Sequence, residues 1–416
     1  MDASIEYPRM RWLVFLAVGI TLMAGNIFNL SFAAILPEIA QSLNIDIVVA
    51  NSFMWVFMLA VSFSVIAGGF LCDRCGVLIV VVLSALLSSS GAVLMPWAGN
   101  DFSTTLLARI LEGIGTGFAF CLLSPTMTIW FPPKERGLVA GLFGSAIALS
   151  GAIGFPLSSG LFEAIGSWQK MSAWISIVGW LAFVVALVLI KMPKPRLPSQ
   201  APATESVQDG AFSRELKEPL LYVCIVVSFF AAWLLQTLIL NTPTYMAAES
   251  PLGLGFGHMT ASNLMILFSI AMMLAPIVSG VIQDKIFKTN ARPFIFIGFA
   301  LCCIFMYLIL LPAIYAKRPL LILCLVFAGS GIAVISAALP LFVGLNYPVH
   351  SLGKIYGIIA GLGNFGGATG LFISSWAVGA RGSYSFAITI ISVTALVGFL
   401  FVFVLKRWKA SPAMNG

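Results

Sequence analysis

The 416-residue chain has little charge and almost no histidine. Asp, Glu, Lys and Arg make up 9% of it and His occurs twice, against 60% hydrophobic residues and a mean hydropathy of +1.05. That shortage excludes an ordinary soluble domain, where about a quarter of the residues are charged. Charge-poor runs recur from Trp12 to Lys406, with no stretch between them large enough for a soluble domain. No H-E-x-x-H occurs, and His258 and His350 stand apart near loops, where they are expected as solvated residues rather than ligands. No enzyme centre is expected. The seven cysteines have no metal-ligand spacing, and Cys121, Cys224, Cys302, Cys303 and Cys324 lie inside apolar runs. Cys72 and Cys75 spell C-x-x-C, but Asp73 and Arg74 between them belong to a repeated turn, so neither a redox nor a zinc role is assigned. No cofactor and no metal are implied. A formal charge of +7 would suggest a nucleic-acid partner if it were clustered; spread over short loops, it has the pattern of membrane topology. No small-residue cleavage site follows a short apolar core, so the run from Trp12 is expected as a retained span.

What the chain does have is apolar runs of about 20 residues, the length that crosses a bilayer. They fall at about 12–36, 48–71, 77–97, 104–131, 138–161 and 171–191, then at about 219–246, 260–282, 293–315, 319–345, 354–378 and 384–406. The expectation is an all-α integral membrane protein with twelve transmembrane helices in two six-helix pseudo-symmetric halves, 1–191 and 219–416. Residues 192–218, rich in Pro, Ser and charge, are expected as a flexible cytoplasmic loop between them. With both termini inside, seventeen Lys and Arg fall on cytoplasmic segments and four outside (Lys170, Lys317, Arg318 and Arg381), with Arg109 left within a span. That bias orients the chain with cytoplasmic termini, in the plasma (inner) membrane. The lipid bilayer is its surroundings, and a monomer is the expected state.

A turn is repeated. Gly69-Phe-Leu-Cys-Asp73-Arg74-Cys-Gly76 follows the second run, and Gly280-Val-Ile-Gln-Asp284-Lys285 follows the eighth, 211 residues later. Each has a glycine four residues before an acid–base pair. The glycine admits a close backbone, the Asp suits the N-terminal end of a neighbouring helix, and the base suits the headgroup region. A second match at an offset of 216 pairs Gly141 with Gly357, Gly151 with Gly367, Ala152 with Ala368, Gly154 with Gly370, and Ser158–Ser159 with Ser374–Ser375. The repeated turn resembles the signature of the major facilitator superfamily, although Val77 and Leu78 stand where that family usually places basic residues. The stretch G-A-I-G-F-P-L-S-S-G resembles its fifth-span motif, and A-R-I-L-E-G-I-G-T-G its fourth-span motif. The resemblance implies two halves rocking about a mid-membrane site lined by the first, fourth, seventh and tenth spans. It also implies gating roles for Gly69, Asp73, Arg74, Gly280, Asp284 and Lys285.

Chemistry is confined to few residues. Arg109 and Glu112 are the ionisable pair well inside a span, and their spacing of three places them on one helix face. Two alternatives remain open for them: a self-neutralising strut, or anion binding and proton coupling. Asn26 and Asn29 in the first span, Trp233, Gln236, Thr237 and Asn241 in the seventh, and Asn364 in the eleventh are candidate solute contacts. Trp55 and Phe120 could add stacking surface. The string G-L-G-N-F-G-G around Asn364 is similar to one in nitrate porters, but the second and eighth spans here hold no basic residue within the membrane. The loop Ile129–Gly137 resembles loops in organic-anion carriers without defining a substrate. The expected function is transport of a small polar organic solute, neutral, zwitterionic or monocarboxylate, with uniport, proton symport and exchange all open. A proton-coupled exporter of drugs or other amphipathic compounds is the alternative; a transporter-like receptor is another, of a different class.

Overall fold

The computed structural model describes residues 10–45, 47–50, 52–190, 212, 215–247, 253–256, 258–287, 290–381 and 383–407. The positively charged Arg9, Lys191, Lys194, Arg196, Arg214, Lys288 and Lys409 lie outside them, as does most of 192–218. Among the described residues the chain is helical, without strands. The first half supplies span helices Arg11–Ala34, Ser52–Cys75, Val77–Val93, Phe102–Phe120 continued by Leu123–Trp130, Arg136–Ile165 and Trp168–Leu189. The second supplies Pro219–Ala247, His258–Lys285, Arg292–Leu308, Arg318–Asn346, Leu352–Arg381 and Tyr384–Arg407. The apolar runs thus become the twelve spans of the fold, ten long enough to cross a membrane by length and composition, with Val77–Val93 and Arg292–Leu308 shorter.

Local chemistry sets the ends. Asp101 caps the fourth span by accepting the N–H groups of Ser103 (3.0 Å) and Thr104 (3.2 Å), and Ser167 caps the sixth through Lys170 N–H; each satisfies donors that a helix start leaves open. Gly76 turns the chain between the second and third spans at φ +88°, a conformation that favours glycine. The fourth span departs from the single helix expected: it breaks at Cys121–Leu122. Pro125 explains this. Its ring clashes with the carbonyl four residues back, that of Cys121, and it has no N–H to bond there.

Two compact units emerge. One comprises Met1–Pro133, Leu149–Lys217 and Tyr347–Gly361; the other comprises Lys134–Ala148, Glu218–Asn346 and Leu362–Gly416. In the first, Phe28, Phe32, Phe53, Trp168, Met171 and Ile175 form a buried cluster, and Trp168 donates from its indole to Ser42 Oγ at 2.7 Å. In the second, the tenth span packs on the eighth and ninth, and the twelfth on the seventh and ninth. Large apolar side chains also face outward, including Trp97 at 73% and Phe372 at 74% exposure. Such surfaces suit lipid and would be costly in water.

Candidate functional site

In the first unit, polar chemistry gathers on the fourth span. Gly113, Gly115 and Gly117 have no side chains, so the second and third spans approach closely: a Cβ at Gly113 would lie 2.7 Å from Phe57 O, and one at Gly115 would meet Ser88 N. Arg109 and Glu112, one turn apart, are both fully buried and form an ion pair. The guanidinium also donates from Nε to Phe53 O (3.3 Å), from Nη1 to Phe28 O (3.3 Å) and from Nη2 to Asn29 Oδ1 (3.2 Å). Phe32 and Phe57 cover it, with ring centroids 4.2 and 4.3 Å from Cζ. A buried cation persists only when paired and hydrogen-bonded on every side. Glu112 is held less completely. Its Oε2 takes the arginine, while Oε1 meets no donor among the described residues. Gly91 makes room for it, since a Cβ there would lie 2.5 Å from Glu112 Cγ.

Asn29 therefore joins Arg109 and Glu112 in one cluster. Asn26 does not; its amide donates to Leu22 O in its own helix at 3.0 Å. Trp55 is 53% exposed and Phe120 half-buried, and neither contacts the ion pair. The carbonyls of Phe28 and Phe53 and the rings of Phe32 and Phe57 escape sequence reasoning, because a backbone carbonyl carries no residue-specific signal.

The second unit brings together the seventh and eleventh spans. The eleventh presents glycines at each step: a Cβ at Gly366 would overlap Phe229 O, one at Gly367 would sit 2.8 Å from Gln236 Cγ, and one at Gly370 would sit 2.6 Å from Trp233 Cδ1. Thr237 Oγ1 donates to Trp233 O at 2.8 Å. Trp233 Nε1, Asn241 Nδ2 and Ser374 Oγ are buried and meet no partner among the described residues. Ser374 is an addition to the expected set. It follows Gly370 at the spacing by which Thr237 follows Trp233, so it lies on the seventh-span side of its helix. Asn364 is half-buried on the eleventh span.

At one end of each unit a carboxylate meets a helix start. Asp73 accepts Gly353 N–H (2.7 Å) and Lys354 N–H (2.8 Å) in the first turn of the eleventh span. Asp284 accepts Gly137 N–H (3.0 Å) and Leu138 N–H (2.8 Å) in the first turn of the fifth. A Cβ on Gly69 would collide with Gly353 O, and one on Gly280 with Gly137 O. Arg74 and Lys285 are exposed. The repeated glycine-acid-base turn thus supplies each helix with an N-terminal anion from another span.

A duplicated, multi-span helical protein with one enclosed charge pair and two matched carboxylate caps is the class these features define. The chain belongs to the Major Facilitator Superfamily, whose profile matches residues 14–317 and 252–414. It is an integral, multi-pass membrane transporter. It is 27% identical over 366 residues to the uncharacterized MFS-type transporter YhjX of Escherichia coli (strain K12), covering 85% of each chain. It is 29% identical over 157 residues to the probable anion transporter 4, chloroplastic, of Arabidopsis thaliana, with 37% of this chain and 29% of that protein aligned. The chain thus spans about three-tenths of the chloroplastic relatives it matches. The fold is similar to that of the proton:xylose symporter XylE bound to 6-bromo-6-deoxy-D-glucose, with a TM-score of 0.76, 14% identity, and 96% of each chain covered. At that identity the likeness is one of fold.

Proposed function

We propose that the protein moves a small polar organic solute of low net charge, neutral, zwitterionic or monocarboxylate, by alternating access, with Glu112 carrying the coupling proton. The observation that carries this is the enclosure of Arg109. Its positive charge is matched by Glu112 and both faces of the guanidinium lie under rings. A solute with two or three negative charges would need further buried cations. Trp233, Gln236, Asn241 and Ser374 can instead supply neutral donors and acceptors. A solute of low net charge also accommodates the names of two similar proteins, one a probable anion transporter and one a proton:xylose symporter. Glu112 Oε1, without a donor of its own, is where a proton would reside. In this reading the contacts of Asp73 and Asp284 open and re-form during transport. The chain is read as a monomer in the plasma (inner) membrane with both termini cytoplasmic, the orientation resting on the Lys and Arg bias.

Purified protein should gain thermal stability from pools of monocarboxylates, amino acids or sugars. A ligand at 100 times its Kd stabilises by about 2.7 kcal/mol. In liposomes, Glu112→Gln should lose accumulation driven by a pH gradient yet keep counterflow exchange of the same solute. Stabilisation and uptake confined to di- or tricarboxylates would overturn the charge assignment, and undiminished gradient-driven uptake by Glu112→Gln would remove the proton from Glu112.

A further inference from the structure

The stretch between the halves is expected as a flexible loop, yet its last residues are anchored. Leu216 N–H bonds to Phe212 O at 3.0 Å. The Phe212 ring packs edge-on against Phe70 at 5.8 Å. Lys354, whose backbone N–H caps onto Asp73, sets its Nζ over both rings, 5.2 Å from the Phe212 centroid and 5.8 Å from that of Phe70. Glu215 is buried to 7% exposure, with Oε1 4.0 Å from Nε2 of His350, just before the eleventh span begins. Lys354 favours the ionised Asp73 electrostatically, whereas Glu215, a like charge, opposes it.

We propose that Phe212 and Glu215 form a strap that clamps the Asp73 contact, making the end of the inter-half stretch a working part of the gate. The proposal rests on the reading that this contact opens during transport. Phe212 and Phe70 enclose the Lys354 ammonium, which fixes the first turn of the eleventh span from its side-chain face while Asp73 fixes it from its N–H face. Glu215 lies 4.0 Å from His350, just before the same helix start, and holds the strap there, although its like charge opposes Asp73. The matched contact on Asp284 differs in sequence. By the same offsets, Leu138 stands in place of Lys354, Val281 in place of Phe70, and Lys134 in place of His350. The backbone geometry of the two contacts is alike, so the strap is an addition to one of them.

Cys72 provides a native reporter, since it precedes Asp73 and is 4% exposed. The full-length protein in membranes is treated with N-ethylmaleimide, and labelling of Cys72 is followed by peptide mass spectrometry, with buried Cys302 as the control for an intact fold. Phe212→Ala should speed Cys72 labelling roughly fivefold, the factor expected from losing one partly exposed cation–π contact. Phe212→Tyr, which keeps the ring, should label at the wild-type rate. Asp73→Asn should speed labelling at least roughly tenfold, because it weakens two charge-assisted bonds. Wild-type protection of Cys72 in Phe212→Ala, beside fast labelling in Asp73→Asn, overturns the strap and leaves the opening contact standing. Protection in Asp73→Asn as well overturns both. If Cys302 also reacts in Phe212→Ala, Phe212→Leu, which keeps bulk without the ring, takes its place under the same criteria.

Discussion

The polar centres of the two units are built in opposite ways. In the first unit, Arg109 makes an ion pair, three further hydrogen bonds and two ring contacts, all within the protein. In the second, Trp233 Nε1, Asn241 Nδ2 and Ser374 Oγ are buried without a partner among the described residues. A closed charge cluster holds structure, because any missing partner leaves a charge stranded in a low-dielectric interior. An open set of neutral donors and acceptors can be satisfied by something that arrives. On the proposed function, the residue with the most charge is not the one that meets the solute.

The largest test breaks the closed side. Arg109→Ala leaves Glu112 buried without its cation, and unfolding measured by thermal or denaturant melting should show a loss of about 3–5 kcal/mol. A variant as stable as the wild type would mean that the cluster is no strut. Next, matched alanines at Gly69 and Gly280 ask whether the two carboxylate contacts are equally tight. Each new Cβ meets a carbonyl oxygen, of Gly353 or of Gly137. Each should cost about 1–3 kcal/mol, as overpacking does, and the two losses should be similar. A large inequality between them would show that the paired backbone geometry does not carry the strength of the contacts. The smallest effect belongs to the open side. Trp233→Phe removes an indole N–H that has no acceptor, so melting should change by less than about 1 kcal/mol. The same variant should lose part of the stabilisation given by whichever solute pool binds the wild type, and an unchanged ligand response would take Trp233 out of the site.

Sequence reasoning reaches some of this and misses the rest for identifiable reasons. The spans were legible because hydrocarbon thickness imposes a length on every one of them, and the two capping aspartates because a glycine-acid-base turn occurs twice. Arg109 with Glu112 was legible from spacing alone. The enclosure of Arg109 was not, since it depends on carbonyls of Phe28 and Phe53 and on rings that any apolar span could supply. Ser374 was visible only as half of a repeated Ser-Ser pair. Its importance comes from lying on the seventh-span side of a glycine-lined helix. Phe212 and Glu215 were hidden by composition: a segment rich in Pro, Ser and charge looks like linker throughout, although these two residues are packed. The break at Cys121 was foreseeable from Pro125, yet the unbroken apolar run concealed it.

That break has a mechanical consequence. A continuous helix behaves as a stiff rod, so a twist applied at one end arrives at the other. The fourth span lacks that continuity between Phe120 and Leu123. Cys121 (φ −66°, ψ −17°) and Leu122 (φ −82°, ψ −12°) keep right-handed helical backbone, so what is lost is the hydrogen bond to Cys121 O that Pro125 cannot make. The charge cluster is tied sideways instead, to the first span through Phe28 and Asn29 and to the second through Phe53.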